Sequence, residues 1–467
     1  MHMGAAQKCS GLRKIGASII LVNCYQFFLL RFQKARLNAM PRNAMLSNVN
    51  CRIQGALELS LPSEEFVSKL LKRKWALRSP TSKVHQILIS NHCTEQRDVF
   101  DSASFVIDQR PSLGMSSVDV NHYQASFYVV RDDLLHPMVN GNKARKLDAL
   151  LPLLVDNSVT DVVTCGGCQS AHAAAVAVSC AERGLKSHLL LRGEEPETLT
   201  GYNLISTMYG NVNYVPRSLY ARREEMLALH ANKTAGDEGL IVSLSEILEA
   251  SLSDQGFDEQ SFQLTAHIHA ESEKKVVIVN EGAGDAVGLL GAMRLVDYLS
   301  QEHLFGRNQP LRIIVDAGTG TTAIGLALGV VFLRLPWEVT AVMLADTIEG
   351  YRKKEESLIS EFCLTFNFPN PDQLLRKGRD GIVHWVERLA PRKFGNVLRG
   401  EVKKCQTIAQ ETGILVDPVY TLAAWESAMQ FSRDESSKAA VMLHTGGTLG
   451  MFGLAQRYKS YFQTLKE

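Results

Sequence analysis

The stretch His136-Pro-Met-Val-Asn-Gly-Asn-Lys-Ala-Arg-Lys-Leu147 decides how the rest of the chain is read. A proline and an Asn-Gly pair set a turn. The apolar register Ala144, Leu147, Leu150, Leu151, Leu154 then starts an amphipathic helix, which Pro152 should kink or end. Lys143 therefore stands where a loop becomes a helix. A lysine fixed there can form a Schiff base if its surroundings lower its pKa. Taken alone, it reads as well as a solvated lysine in a basic patch with Arg145 and Lys146, since most lysines are surface residues.

Outward from this turn, short β-rich runs alternate with helical patterns. Ser126–Val130 precedes it, and Asp161–Thr164, Ser187–Leu191, Asn213–Val215, Val276–Val279, Arg312–Val315, Val339–Leu344 and Ala440–Leu443 follow, most of them leading into a helix. Strand, turn and helix repeated in this way predict an α/β fold of open, mostly parallel sheets flanked by helices. The glycine clusters sit after strands, where the carboxyl ends of such sheets collect ligands.

The chain has 467 residues, 45% hydrophobic and 21% charged, enough for two substantial cores. Its net charge of +1 hides an asymmetry: residues 1–57 hold eight of the 50 basic residues and no acid before Glu58, so the remaining 42 meet 49 acids and the body carries −7. Such a body gives no electrostatic reason to bind nucleic acid. The acid-poor, Arg-punctuated start reads as a mitochondrial transit segment, with the matrix as destination and the cytosol as alternative. Its apolar run from Ala17 to Leu30 is shorter than a bilayer span, so no membrane role is expected. Nine scattered cysteines show no disulfide framework and suit a reducing compartment.

Three segments carry candidate chemistry. Asp316-Ala-Gly-Thr-Gly-Thr-Thr322 follows a strand and opens a helix, so its amides can hold a phosphate. It also fits a loose dinucleotide fingerprint, with Asp346 near the spacing of a ribose-binding acid, which leaves a nicotinamide-dependent dehydrogenase open. Cys165-Gly-Gly-Cys168 is a CxxC at a strand-to-helix turn, where a redox pair could stand; without a second CxxC, a four-cysteine zinc site is not expected. The third is a set: Lys143, Gln169-Ser170-Ala171-His172, Gly318–Thr322, Pro418-Val-Tyr420 and His444-Thr-Gly-Gly-Thr448.

That set, with Arg131-Asp-Asp133, Asn140–Leu147, Gly166–His172, Leu191–Pro196, Glu281-Gly282, Gly288, Gly291 and Asp417–Tyr420, resembles the D-cysteine desulfhydrase and 1-aminocyclopropane-1-carboxylate deaminase family. The resemblance runs from Phe127 to Phe452. It implies the two-domain pyridoxal-phosphate fold type II, tryptophan synthase β-like. The expected layout is a leader over 1–57 and a linker or weakly ordered arm over 58–104, both read from composition, then a large cofactor-binding domain over 105–145 and 273–467 and a small domain over 146–272. A polar insertion near 234–272 lengthens the small domain. The implied cofactor is pyridoxal 5'-phosphate, attached to Lys143, its phosphate on Gly318, Thr319, Gly320, Thr321 and Thr322, and its ring nitrogen facing Thr445. Gln169, Ser170 and His172 are implied at the substrate, the carboxylate lying at a helix N-terminus, a place that suits an anion. Tyr420 is implied as proton-transfer or leaving-group partner, and Ser170 beside it in catalysis. Ser170 and Tyr420 also have plainer readings, as an N-cap and a packed core tyrosine.

Three departures qualify the resemblance. Ala171 replaces the asparagine expected beside the cofactor's phenolic oxygen, Asn140 replaces a glycine, and Thr421 stands where the deaminase branch has Glu. The implied activity is β-elimination of D-cysteine to hydrogen sulfide, pyruvate and ammonia, with no metal and a homodimeric state. The alternatives are 1-aminocyclopropane-1-carboxylate deamination and a low-turnover cofactor-binding protein.

Overall fold

The computed structural model describes residues 63–91, 103–113, 125–139, 141–253, 274–368, 381–434 and 438–466, all within the unit Leu59–Glu467. The predicted leader, Asn140 and the predicted insertion beyond Ser253 lie outside the described residues. In chain order the strands are β1 (Val84–Asn91), β2 (Ala103–Asp108), β3 (Ala125–Val130), β4 (Asp161–Gly167), β5 (Lys186–Arg192) and β6 (Asn211–Val215). They continue with β7 (Leu240–Val242), β8 (Lys275–Ile278), β9 (Leu311–Ala317), β10 (Trp337–Met343), β11 (His384–Glu387) and β12 (Ala439–Leu443).

One sheet runs β11-β10-β9-β12-β3-β1-β2, parallel from β11 to β3, with β1 antiparallel to both β3 and β2. The other runs β6-β5-β4-β8-β7 and is parallel throughout. β4 and β9 are buried along almost their whole length, as apolar runs covered on both faces must be.

The helices used below are α1 (Glu64–Leu71), α2 (Asn142–Asp148), α3 (Leu150–Asp156), α4 (Ala171–Ala181), α5 (Gly201–Tyr209), α6 (Val287–Leu299), α7 (Thr321–Phe332), α8 (Ile348–Thr365) and α9 (Thr421–Phe431). α7 is buried over all its residues, which explains its lack of any polar face.

Three expectations change. Residues 58–104 are not merely an arm: α1 and β1 fall there, and alternating Ile87 and Ile89 are fully buried in the large sheet. The same stretch is pinned to the body where Leu77 N–H donates to Asp148 at 2.7 Å and Arg294 reaches that carboxylate at 2.8 Å. The boundary at 272/273 moves as well, because β8 pairs with β4 and β7 and so belongs to the smaller sheet. Finally, the helix after Lys143 breaks at Ala149, so that Pro152 falls in the first turn of α3, where its missing N–H leaves no bond unmade.

Candidate active site

The loops that follow β3, β4, β8, β9 and β12 converge at the carboxyl ends of the two sheets. Lys143 is the second residue of α2, whose entry is fixed from two sides. Gly141 takes φ +66°, and a Cβ there would stand 1.7 Å from the Thr445 carbonyl oxygen, so only glycine fits. The next amide, of Asn142, donates to that same carbonyl at 3.2 Å. Arg145 is buried and reaches Asp132 at 2.8 and 3.0 Å, locking the helix to the turn after β3. The basic-patch reading therefore fails for Arg145 and Lys146, which are only 1% and 3% exposed.

The half-buried Lys143 donates from Nζ to Asn142 Oδ1 at 2.8 Å, and Asn142 Nδ2 in turn donates to Thr322 Oγ1 at 3.1 Å. Burial holds the Lys143 pKa below its usual value, and nearby Asp316 opposes the effect. A lowered amine pKa enlarges the neutral, nucleophilic fraction.

One helical turn on, Lys146 points the same way, as i,i+3 neighbours do. Its Nζ donates to the Gly282 carbonyl at 2.9 Å and to Thr319 Oγ1 at 3.4 Å. Burial, then the charges of Lys143 and Lys354, push its pKa well down. Lys354 of α8 donates to the Gly284 carbonyl at 3.3 Å. Neither lysine was singled out from the sequence; the i,i+3 spacing from Lys143 was the available signal for Lys146.

The loop Gly318–Thr322 leads into α7. Gly320, at φ +81°, occupies the N-cap, and a Cβ there would crowd Trp385 and Tyr351 at 3.1 and 3.3 Å. No side chain caps α7, so its first amides remain open to a ligand. Thr319 and Thr321 hydroxyls lie 3.1 Å apart. Beneath, the buried Tyr351 hydroxyl donates to the Ala317 carbonyl at 2.6 Å and accepts from Ala345 N–H at 3.0 Å, which fastens the loop to the end of β10.

Asp417 organises the neighbouring turn. Its carboxylate accepts from the amides of Val419, Tyr420 and Thr421 and from the Thr421 hydroxyl, at 2.9, 2.9, 3.2 and 2.9 Å. Thr421 is thus fully buried and committed to this turn rather than turned toward a ligand. Tyr420 is half-buried, stacks edge-on against Phe394 at 5.6 Å and lies over Gly318. Burial and the charges of Asp417 and Asp316 hold its phenol in the protonated form. The Thr445 hydroxyl donates to the buried Asp316.

Across the cleft, Ser170 caps α4, its Oγ accepting from Ala173 N–H at 3.2 Å. Gln169 is exposed, with its amide engaged by the Thr200 carbonyl at 3.0 Å and Tyr202 N–H at 3.1 Å at the start of α5. His172 is buried, 3.0 Å from Thr164 Oγ1, which donates to the Val279 carbonyl at 2.7 Å. Burial and the charges of Lys143 and Lys146 lower its pKa to about 3, so the imidazole is neutral. Burial pushes the Cys165 thiol up to about 11 and raises Cys168 as well, the opposite of the lowered pKa a reactive CxxC pair shows. Among the described residues no group of three or more His, Cys, Asp or Glu is placed to hold a metal ion.

No family model matches the chain. A protein of Oryza sativa subsp. japonica, provisionally named mitochondrial D-cysteine desulfhydrase 2, is 50% identical over 395 residues, covering 83% of this chain and 93% of its own. The chain belongs to the D-cysteine desulfhydrase and 1-aminocyclopropane-1-carboxylate deaminase family. The family's bifunctional mitochondrial enzyme of Arabidopsis thaliana is 25% identical, over 70% of this chain and 73% of its own. The crystal structure of a 1-aminocyclopropane-1-carboxylate deaminase homologue superposes with TM-score 0.53 at 23% identity, covering 72% of this chain and 89% of that one, which shows a shared fold.

Pyridoxal 5'-phosphate is the cofactor of this family, and the residues present fit it. Lys146 and Lys354, three threonine hydroxyls and an uncapped helix N-terminus converge where a phosphate dianion would sit. Burial and the neighbouring cations lower the basicity of Lys146, and a bound anion would relieve both. Lys143, one helical turn from Lys146, is the amine that would attach it.

Proposed function

We propose that the chain is a pyridoxal-phosphate-dependent carbon–sulfur lyase that eliminates hydrogen sulfide from D-cysteine, leaving pyruvate and ammonia. The observation that carries it is Lys143 Nζ, half-buried and lowered in pKa, joined through Asn142 to the threonine loop. The cofactor, when bound, supplies an electron sink for the Cα–H bond. Lys143 Nζ takes the Cα proton as general base. The Tyr420 hydroxyl, kept protonated, hands its proton to the departing sulfide. Ser170 and the N-terminus of α4 bind the substrate carboxylate, while Gln169 holds that helix start against α5 and His172 holds it against β4 and Val279. Thr421, tied to Asp417, offers no second acid for ring opening, which supports the thiol substrate over the cyclopropane one.

The rice and Arabidopsis relatives are both named mitochondrial, and the acid-free residues 1–57 suit import, so we place the enzyme in the matrix as a homodimer acting on a small amino acid. No described helix is long and apolar enough to cross a membrane. The test is a spectrum and an assay on one preparation. A visible band that disappears in Lys143→Ala, with sulfide and pyruvate formed in equal amounts from D-cysteine, is the expected result. A colourless protein indifferent to added cofactor refutes the class; ketobutyrate from the cyclopropane acid with no sulfide refutes the substrate.

A further inference from the structure

Asp316 has no part in the reaction above. It is the penultimate residue of β9, two positions before Gly318, and is only 4% exposed. A buried carboxylate is retained only with partners, and its partner is specific: Thr445 Oγ1 donates to Asp316 Oδ1, across 129 positions of sequence. The charged and titratable groups facing it come from two elements. Lys143 and Lys146 of α2 favour its ionised form, whereas Asp417 of the 417–420 turn disfavours it; Tyr420 of the same turn, held protonated, carries no charge. Burial and Asp417 raise its pKa, to about 6, so at mitochondrial or cytosolic pH the carboxylate stays largely charged.

We propose that Asp316 is a positioning residue that acts on the cofactor's ring nitrogen through Thr445. This rests on the reading above, in which Thr445 meets that nitrogen. A hydroxyl has one proton to give. With that proton committed to Asp316, Thr445 turns a lone pair toward the ring, and a lone pair is satisfied by a nitrogen that carries a proton.

The alternative arrangement contains the same protons. Asp316 would hold one and donate it to Thr445 Oγ1, while Thr445 donated its own to an unprotonated nitrogen. The two states differ by a concerted shift of two protons along one chain of hydrogen bonds, and no other reactant is consumed. An ionised Asp316 within hydrogen-bond reach of Thr445 Oγ1 can only accept, so the Thr445 hydroxyl donates to it and the charged-nitrogen state is favoured. A lone neutral hydroxyl would leave the nitrogen largely unprotonated, as the family resemblance implies. Here the acid behind it makes the ring a stronger electron sink than that resemblance suggests.

The experiment is nitrogen NMR of the holoenzyme loaded with pyridoxal phosphate labelled with 15N in the ring. The wild type should show a resonance in the protonated-pyridinium range near neutral pH. Asp316→Asn should move it to the unprotonated range, Asp316→Glu should restore it, and both variants should keep the visible band of lysine-bound cofactor. Should Asp316→Asn fail to fold, Thr445→Val removes the intermediary hydroxyl, keeps the acid and should shift the resonance in the same direction. A wild type that binds the cofactor with an unprotonated nitrogen, or a resonance indifferent to both Asp316→Asn and Thr445→Val, overturns the relay alone. A wild type that takes up no labelled cofactor overturns the parent reading and the relay with it.

Discussion

Replacing Lys146 with methionine tests whether the lysine cluster was built for an anion. The substitution keeps the length of the side chain and removes its charge. In the loaded enzyme the ammonium would face a phosphate beside Thr319, and a hydrogen bond to a charged group contributes about 1.5–3 kcal/mol. The cofactor Kd should therefore rise roughly 10- to 150-fold. Equilibrium titration of apoenzyme, followed by the visible band, measures it. Because Lys143 remains, the band itself should still form at saturating cofactor.

The apoenzyme gives a second, independent reading. The folded-state pKa of Lys146 lies well below the ordinary 10.5, so between those two values the unfolded chain binds more protons than the folded one. Stability of the apoenzyme should then rise with pH across that window, by up to about 1.4 kcal/mol per pH unit for one full proton. Lys146→Met removes that contribution and should flatten the slope, as should saturation with cofactor, whose phosphate restores the lysine's reason to be charged. Urea unfolding of apo and holo forms at several pH values reads the slope. An unchanged Kd together with an unchanged slope would refute the assignment of Lys146 to an anion.

Three further outcomes are expected. Asp132→Ala leaves Arg145 charged in the interior without its partner, which should destabilise the fold by about 3–5 kcal/mol, seen as a lower denaturation midpoint. Gly320→Ala must take φ +81° against Trp385 and Tyr351; strain of about 1–3 kcal/mol should fall mainly on cofactor affinity, read by the same titration. Tyr420→Phe should lower kcat for sulfide release by about 10²- to 10⁴-fold with KM little altered; equal losses with chloroalanine, whose leaving group needs no proton, would remove Tyr420 from leaving-group protonation.

How much of this was legible in the sequence depends on how local each signal is. The parallel sheets were legible because β4, β9 and β12 are apolar-rich runs that lead through glycines into a helix, and β5 and β10 carry apolar cores between polar flanks. β1 was missed because Val84–Asn91 mixes His85, Gln86 and Ser90 with buried Ile87 and Ile89, and its partners β2 and β3 lie later in the chain. Residues 145 and 146 misled for the opposite reason: their local company is basic, while their actual partners are Asp132, Gly282 and Thr319. The Thr445 hydrogen bond to Asp316 joins the ends of two neighbouring strands, and no periodicity announces such a pair.

These pieces bear on what Ala171 means. The resemblance leads one to expect an asparagine amide near the cofactor's phenolic oxygen, yet position 171 is a half-buried alanine at the first turn of α4. The amide it lacks would stabilise negative charge on that oxygen. One feature of this chain would act on the same ring: the Asp316–Thr445 pair, with the half-buried Lys143 beside it. A ring nitrogen held protonated draws charge away from the phenolic oxygen through the conjugated ring, so the need for an amide there falls. The alanine and the acid are then two halves of one adjustment. It follows that Ala171→Asn should raise turnover less in the wild type than in Asp316→Asn, and that the two substitutions should fail to add; strict additivity would separate them and leave Ala171 without a partner in the site.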